Sequence, residues 1–162
     1  MRGLGMGALI TAGLVLAGAV AGPAAAADRH AGYYYPEPET SEVYEARART
    51  MDEATRTLRI AFVTGITNQL LQRPYPPPAA IFAKGTHGEK LIIVALADGR
   101  IDTVYRARAV FANLTASARI LPIFAQMGVQ DFFTFFDLAK MMGFEKITIS
   151  NGRDFAHQVI LE

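Results

Sequence analysis

His30, His87 and His157 are the three histidines of this chain, and it has no cysteine. Metal or acid–base chemistry must therefore be assembled from these rings and from scattered carboxylates. No two of the histidines stand at the i,i+4 spacing that puts two ligands on one helix face, and none belongs to a His-Glu-x-x-His motif. The spacing predicts no metal site and no cofactor. His157 falls on an apolar strand and is expected to bond Glu145 across a hairpin. His87 is expected in a loop. Ser150, Asp154 and His157 have the residue types of a nucleophile, an acid and a base. A hairpin with a three-residue turn sets Ser150 about four rows from His157, roughly 13 Å at the usual strand rise. A nucleophile and its base need roughly 3 Å, so no catalytic residue is assigned.

Binding chemistry has more candidates. Tyr33, Tyr34 and Tyr35 carry large faces with polar tips, suited to stacking on sugars or on a partner. The plainer alternative is an arm laid on its own domain. Arg106 and Arg108 on one helix could clasp an anion, or simply be solvated. Tyr75 lies in Arg73-Pro74-Tyr75-Pro76-Pro77-Pro78, a stretch that an aromatic groove could read or that serves as a stiff connector. Gly85 and Gly88 flank a loop without the Gly-Lys-Ser/Thr of a phosphate-binding loop.

These groups sit in a chain whose start reads as a secretory leader. Met1-Arg2 is followed by an uncharged stretch from Leu4 to Val20, then Gly22-Pro23 and four alanines. A basic start, an apolar middle and a small-residue exit are what export and cleavage require, with the cut after Ala27 or Ala26. The competing reading is a retained span, since residues 3–27 could cross about 30 Å of hydrocarbon. Six glycines and Pro23 dilute that run, which favours cleavage and no permanent membrane span. The expected organisation is a leader over 1–27, an extended arm over 28–40 stiffened by Pro36 and Pro38, and one domain over 41–162. The leader's only charge is Arg2, so of 16 Lys+Arg and 15 Asp+Glu the mature chain keeps 15 of each. Formal neutrality argues against nucleic-acid binding, which needs a basic excess.

Periodicity supplies the elements. Ser41 to Ala48 predicts a strand with Tyr44, Ala46 and Ala48 on one face. Leu58, Phe62, Ile66 and Leu70 recur every fourth residue and predict a helix over 50–73, boxed by Thr50 and Glu53, with Gly65 as the place for a bend. Leu58, Ile60 and Phe62 also alternate, so 56–63 keeps a competing strand pattern. Ala79–Lys84 and Lys90 to Ala97 predict a hairpin, and the apolar run Leu91–Leu96 predicts the central strand. Asp98-Gly99 reads as a turn. Asp102 or Thr103 caps a helix through Val104, Ala107, Phe111, Leu114 and Ala118. Pro122 opens a short helix that Gly128 stops. Asp131 caps another, with Phe132, Phe135, Phe136 and Ala139 inward, Phe133 off that face and Gly143 as its end. A final hairpin pairs Ile147 with Phe155 around Ser150-Asn151-Gly152. Together these predict an α+β domain, a mainly antiparallel sheet of about five strands packed with three to four helices.

Phe62-Val63-Thr64-Gly65-Ile66-Thr67, Arg73-Pro74-Tyr75-Pro76-Pro77, Ile81 to Gly85, Glu89 to Leu96 and Phe155 to Val159 resemble a family of small exported bacterial proteins without an established activity. The resemblance spans most of 42–162. Some such proteins carry the label molybdopterin-guanine dinucleotide biosynthesis protein A, which implies a magnesium- and GTP-dependent guanylyltransferase of the cytoplasm. That enzyme's Leu-x-Gly-Gly-x-Ser-x-Arg-Met-Gly loop has its nearest counterpart in Gly13 to Ala19, without the paired glycines, serine, arginine or lysine. No nucleotidyltransferase residue carries over. The expected function is a periplasmic, non-enzymatic module binding an envelope protein or a small ligand. The alternatives are that guanylyltransferase and an unrecognised envelope hydrolase.

Overall fold

Leu58, Phe62, Ile66 and Leu70 do share one helical face, and the residues around them decide where that helix starts. The structure, a computed structural model, describes residues 37–96 and 101–162. The leader, the tyrosine triplet and the Asp98-Gly99 turn lie outside the described residues. Helix α1 (Arg56–Leu71) is capped by Thr55, whose side chain accepts from the Leu58 amide, and Phe62, Ile66 and Leu70 are buried. Residues 56–63 are therefore helix, and the predicted box at Thr50 is replaced. Thr50 instead donates to the Lys140 carbonyl. Gly65 lies inside the helix, where a Cβ would come within 2.9 Å of Leu121 Cδ2. Its missing side chain permits that close approach.

Strand β1 (Thr40–Tyr44) precedes α1. The hairpin of β2 (Ala79–Lys84) and β3 (Lys90–Ala95) follows, then α2 (Val104–Arg119), α3 (Pro122–Met127), α4 (Phe135–Met141), β4 (Lys146–Ser150) and β5 (Ala156–Leu161). The five strands of the described residues run in the order β1-β5-β4-β3-β2. The sheet is mixed, not mainly antiparallel: β2–β3 and β4–β5 are antiparallel, whereas β3–β4 and β1–β5 are parallel. Three helices separate β3 from β4, a crossover long enough to return the chain in the same direction. β1 joins from the other end of the sequence. The apolar run of β3 is interior, as its composition required, but β4 is the middle strand. β1 is also shorter than the alternation through Ala48 predicted.

Helix α2 is capped by Thr103, and Ala107, Phe111, Leu114 and Ala118 are buried on it. Helix α3 begins at Pro122 and stops at Gly128, whose φ is 68°. Helix α4 departs from expectation. Its cap is Thr134, boxed with Asp137, not Asp131. Phe132 and Phe133 thus precede the helix, so helical spacing does not govern them. Phe132 is exposed, whereas Phe133 packs on the core.

The last hairpin has the predicted faces but a different register. Ile147 pairs with Val159 and Ile149 with His157, a four-residue shift that leaves the inward set intact because the pleat repeats every two. The loop is longer for a reason visible in Asn151. Its Oδ1 accepts the amides of Arg153, Asp154 and Phe155 at 2.9–3.1 Å, and its own amide reaches the Phe155 carbonyl. Gly152, at φ 74°, takes the left-handed position there.

All four helices of the described residues contribute to one core with Ile81, Leu91, Ile93, Ile147, Ile149, Val159 and Leu161 from a single sheet face. Phe62 centres it, edge-on to Phe124 at 5.8 Å and stacked with Phe135 at 6.1 Å. No helix among the described residues is long and apolar enough to cross a membrane.

Candidate functional site

Thr40, Glu42 and Tyr44 alternate along β1, so the pleat turns all three toward the helices. Because β1 lies on β5, Thr40 stands beside His157 and Glu42 beside Val159. His157 is 2 % exposed. Its Nδ1 lies 2.8 Å from Thr40 Oγ1. Its Nε2 lies 3.3 Å from Glu42 Oε1, an ion-pair distance without the alignment of a hydrogen bond. The expected bond to Glu145 does not form, because the shifted register sets Glu145 beside Leu161. Arg108 Nη2 reaches the other Glu42 oxygen at 2.7 Å. Burial opposes ionisation of Glu42, but the contacts with Arg108 and His157 outweigh it and hold the carboxyl below its ordinary value.

A second carboxylate fixes the other end of β1. Asp137 is fully buried at the start of α4. It accepts the Thr134 amide at 2.8 Å, the Thr134 hydroxyl at 2.9 Å, the Arg47 amide at 2.8 Å and Arg47 Nη2 at 3.0 Å. Tyr44 donates to both of its oxygens at 3.3 Å and lies 3.0 Å from the Thr134 hydroxyl. Here too burial favours the neutral form, and the amides of Thr134 and Arg47, then their side chains, prevail and keep the carboxyl below its ordinary value.

Between these nodes lies an open cleft of ≈ 500 Å³ bounded by β1, α2 and the start of α4. Tyr44 and Phe136, both half-buried, provide aromatic surface over the buried rings of Phe111 and Phe135, with Phe111 and Tyr44 each 4.8 Å from the Phe136 ring. Glu42, Arg108, Thr115 and Thr134 provide polar groups. Thr115 Oγ1 already donates to the Phe111 carbonyl and accepts the Phe135 amide, which ties α2 to α4. The carboxylates are committed to internal partners. What the cleft offers a guest is apolar surface and the largely exposed guanidinium of Arg108.

The order hydroxyl–imidazole–carboxylate in Thr40, His157 and Glu42 resembles an acyl-transfer relay. Yet the cleft is lined by Glu42 and not by Thr40 or His157, so a guest there does not meet the hydroxyl. The group reads as a tether holding the edge strand. Ser150 also stays apart from His157, although not by the expected distance. It is one row away but on the opposite sheet face, and its hydroxyl donates to the Phe155 carbonyl while accepting the Gly152 amide. No group of three or more metal-binding side chains occurs among the described residues.

Arg106 and Arg108 are not brought together. Arg106 pairs with Asp102 at 2.9 Å, one helical turn back, while Arg108 turns to Glu42. Tyr75 is exposed beside a hollow of ≈ 600 Å³ along the proline connector. That connector is anchored by Arg73, which donates to the buried Ser117 hydroxyl at 2.7 Å. Tyr33, Tyr34 and Tyr35 lie outside the described residues. Glu42, Tyr44, Thr134 and Asp137 belong to no sequence motif that marks them as site residues. The alternation of Thr40, Glu42 and Tyr44 was the available signal. No protein-family model, curated protein or solved structure matches the chain.

Proposed function

We propose that this protein is an exported, non-enzymatic binding module whose β1–α2–α4 cleft takes an amphipathic small molecule, its apolar body on Tyr44 and Phe136 and an anionic group at Arg108. The cleft's composition carries this reading: aromatic surface beside one exposed cation, with the surrounding polar groups held by their own neighbours. Preorganised apolar clefts with few directional polar groups are the usual form of small-ligand sites. A guanylyltransferase draws no support from it, since nucleotide phosphates call for several cations or an amide cradle.

The dye 1-anilinonaphthalene-8-sulfonate has the required chemistry and serves as probe. Ala112 lines the cleft and is exposed, so Ala112→Trp fills it without removing a structural bond. Dye affinity is expected to fall at least ~10-fold, about 1.4 kcal/mol, with the melting temperature unchanged. Equal affinity in the variant and the native protein places the dye elsewhere and overturns the reading.

Export rests on the leader-like sequence of residues 1–27. Cells expressing the full chain are expected to hold a soluble periplasmic species beginning at Asp28 or Ala27. An uncut chain in the cytosol removes the export reading.

A further inference from the structure

Arg73 follows α1 and fixes the start of the proline connector. Its amide reaches the Leu70 carbonyl at 3.4 Å, and its guanidinium donates to the buried Ser117 hydroxyl of α2 at 2.7 Å. Ser117 in turn donates to the Asn113 carbonyl, one turn back on α2. The far end of the connector is pinned as well, where the Leu96 amide donates to the Pro78 carbonyl at 3.1 Å. Between these anchors Pro76, Pro77 and Pro78 have φ locked by their rings, so this wall of the hollow is stiff before any guest arrives. The hollow measures ≈ 600 Å³, within the roughly 300–1,000 Å³ of small-ligand sites.

Three side chains on its lining keep bonding capacity for a guest. Tyr75 is 78 % exposed, which presents an aromatic face and a phenol tip. Arg73 uses one N–H of its fork on Ser117 and pairs with no carboxylate among the described residues. Asn113 gives one amide hydrogen to the Ala109 carbonyl at 3.1 Å, which orients the side chain and leaves its second hydrogen and its oxygen. An aromatic face beside planar polar groups is what grips a sugar ring. The ring's C–H face lies on the phenol, its hydroxyls meet the amide, and a ring carboxylate meets the guanidinium through two parallel bonds. A neutral sugar leaves the cation unused, and a small inorganic anion leaves the aromatic face unused. We propose that this hollow is a binding site for an acidic saccharide, a hexuronate unit stacked on Tyr75 with its carboxylate on Arg73. It shares no lining residue with the β1–α2–α4 cleft, so the two sites are separate.

Calorimetric titration with trigalacturonate tests the site, with maltotriose as the uncharged comparison. Trigalacturonate is expected to bind at least ~10-fold more tightly than maltotriose. Tyr75→Ala removes an exposed ring, so it is expected to weaken trigalacturonate at least ~10-fold with the melting temperature unchanged. Arg73→Lys keeps the charge but not the fork, and is expected to narrow the gap between the two sugars. If that variant does not fold, Tyr75→Ala and the sugar comparison decide. No binding of trigalacturonate at millimolar concentration overturns the proposal, as does equal affinity in Tyr75→Ala. Equal affinity of the native protein for the two sugars removes the acidic class and overturns it as well.

Discussion

Asp137→Ala is expected to lower stability by about 3 kcal/mol and the melting temperature by about 10 °C, the first of the two largest losses. The side chain gathers the amides of Thr134 and Arg47, the Thr134 hydroxyl, the Arg47 guanidinium and the Tyr44 phenol around one buried carboxylate. Its removal deletes half of a capping box, about 1 kcal/mol, and leaves charge-assisted donors without their acceptor, about 1.5–3 kcal/mol each before relaxation. Asp137→Asn keeps the shape and one acceptor oxygen, so it is expected to lose roughly half as much. Chemical denaturation of the three proteins at pH 7 checks the order. A loss under ~1 kcal/mol in the alanine variant would mean that solvent replaces these bonds at little cost.

The same residue sets an acid limit. Its folded carboxyl is held below the ordinary 3.8, and Glu42 is likewise held below 4.5. The unfolded chain therefore takes up protons at a higher pH than the folded one. The stabilisation is fully present above the ordinary carboxylate range and is lost as pH falls through the folded values. Native stability should decline as pH falls below about 4.5 and then 3.8. The decline should be shallower in Asp137→Asn, which has no carboxyl to protonate there. Parallel pH curves for the two proteins contradict the assignment.

Phe135→Ala is expected to cost about 3–5 kcal/mol. The ring is fully buried, stacked with Phe62 at 6.1 Å and with Phe111 at 6.3 Å. It also backs the cleft, so the vacated volume enlarges the binding surface as it destabilises the core. Phe132→Ala, at an exposed ring before the helix, should stay within about 0.5 kcal/mol. Urea midpoints of the two variants decide the matter, and equal losses would return α4 to a start at Asp131.

That contrast marks the limit of periodicity as a guide. Four-residue spacing located the buried face of α1 because a helix repeats its faces wherever it begins. It placed Phe132 wrongly because the start of α4 depends on which cap closes, Asp131 or Thr134. The Thr134–Asp137 box wins, and its carboxylate also binds Arg47 and Tyr44 from 90 or more residues away. The last hairpin shows the same division. Alternation set which side chains face inward, while the bonds of Asn151 set the register and so removed Glu145 from His157.

By itself, the sequence determined the α+β class, the β2–β3 hairpin, the Pro122-to-Gly128 helix and the inward faces of α1, α2 and the last hairpin. Each depends on residues close together in the chain, where spacing and φ preference act directly. Only the tertiary structure decided the parallel β1–β5 and β3–β4 pairings, and with them the cleft. Thr40 meets His157 across 117 residues, and no local pattern specifies which strand edge will receive β1. That choice follows from burying all the apolar faces at once, and it makes Glu42, which no local motif marks, the link between Arg108 and His157.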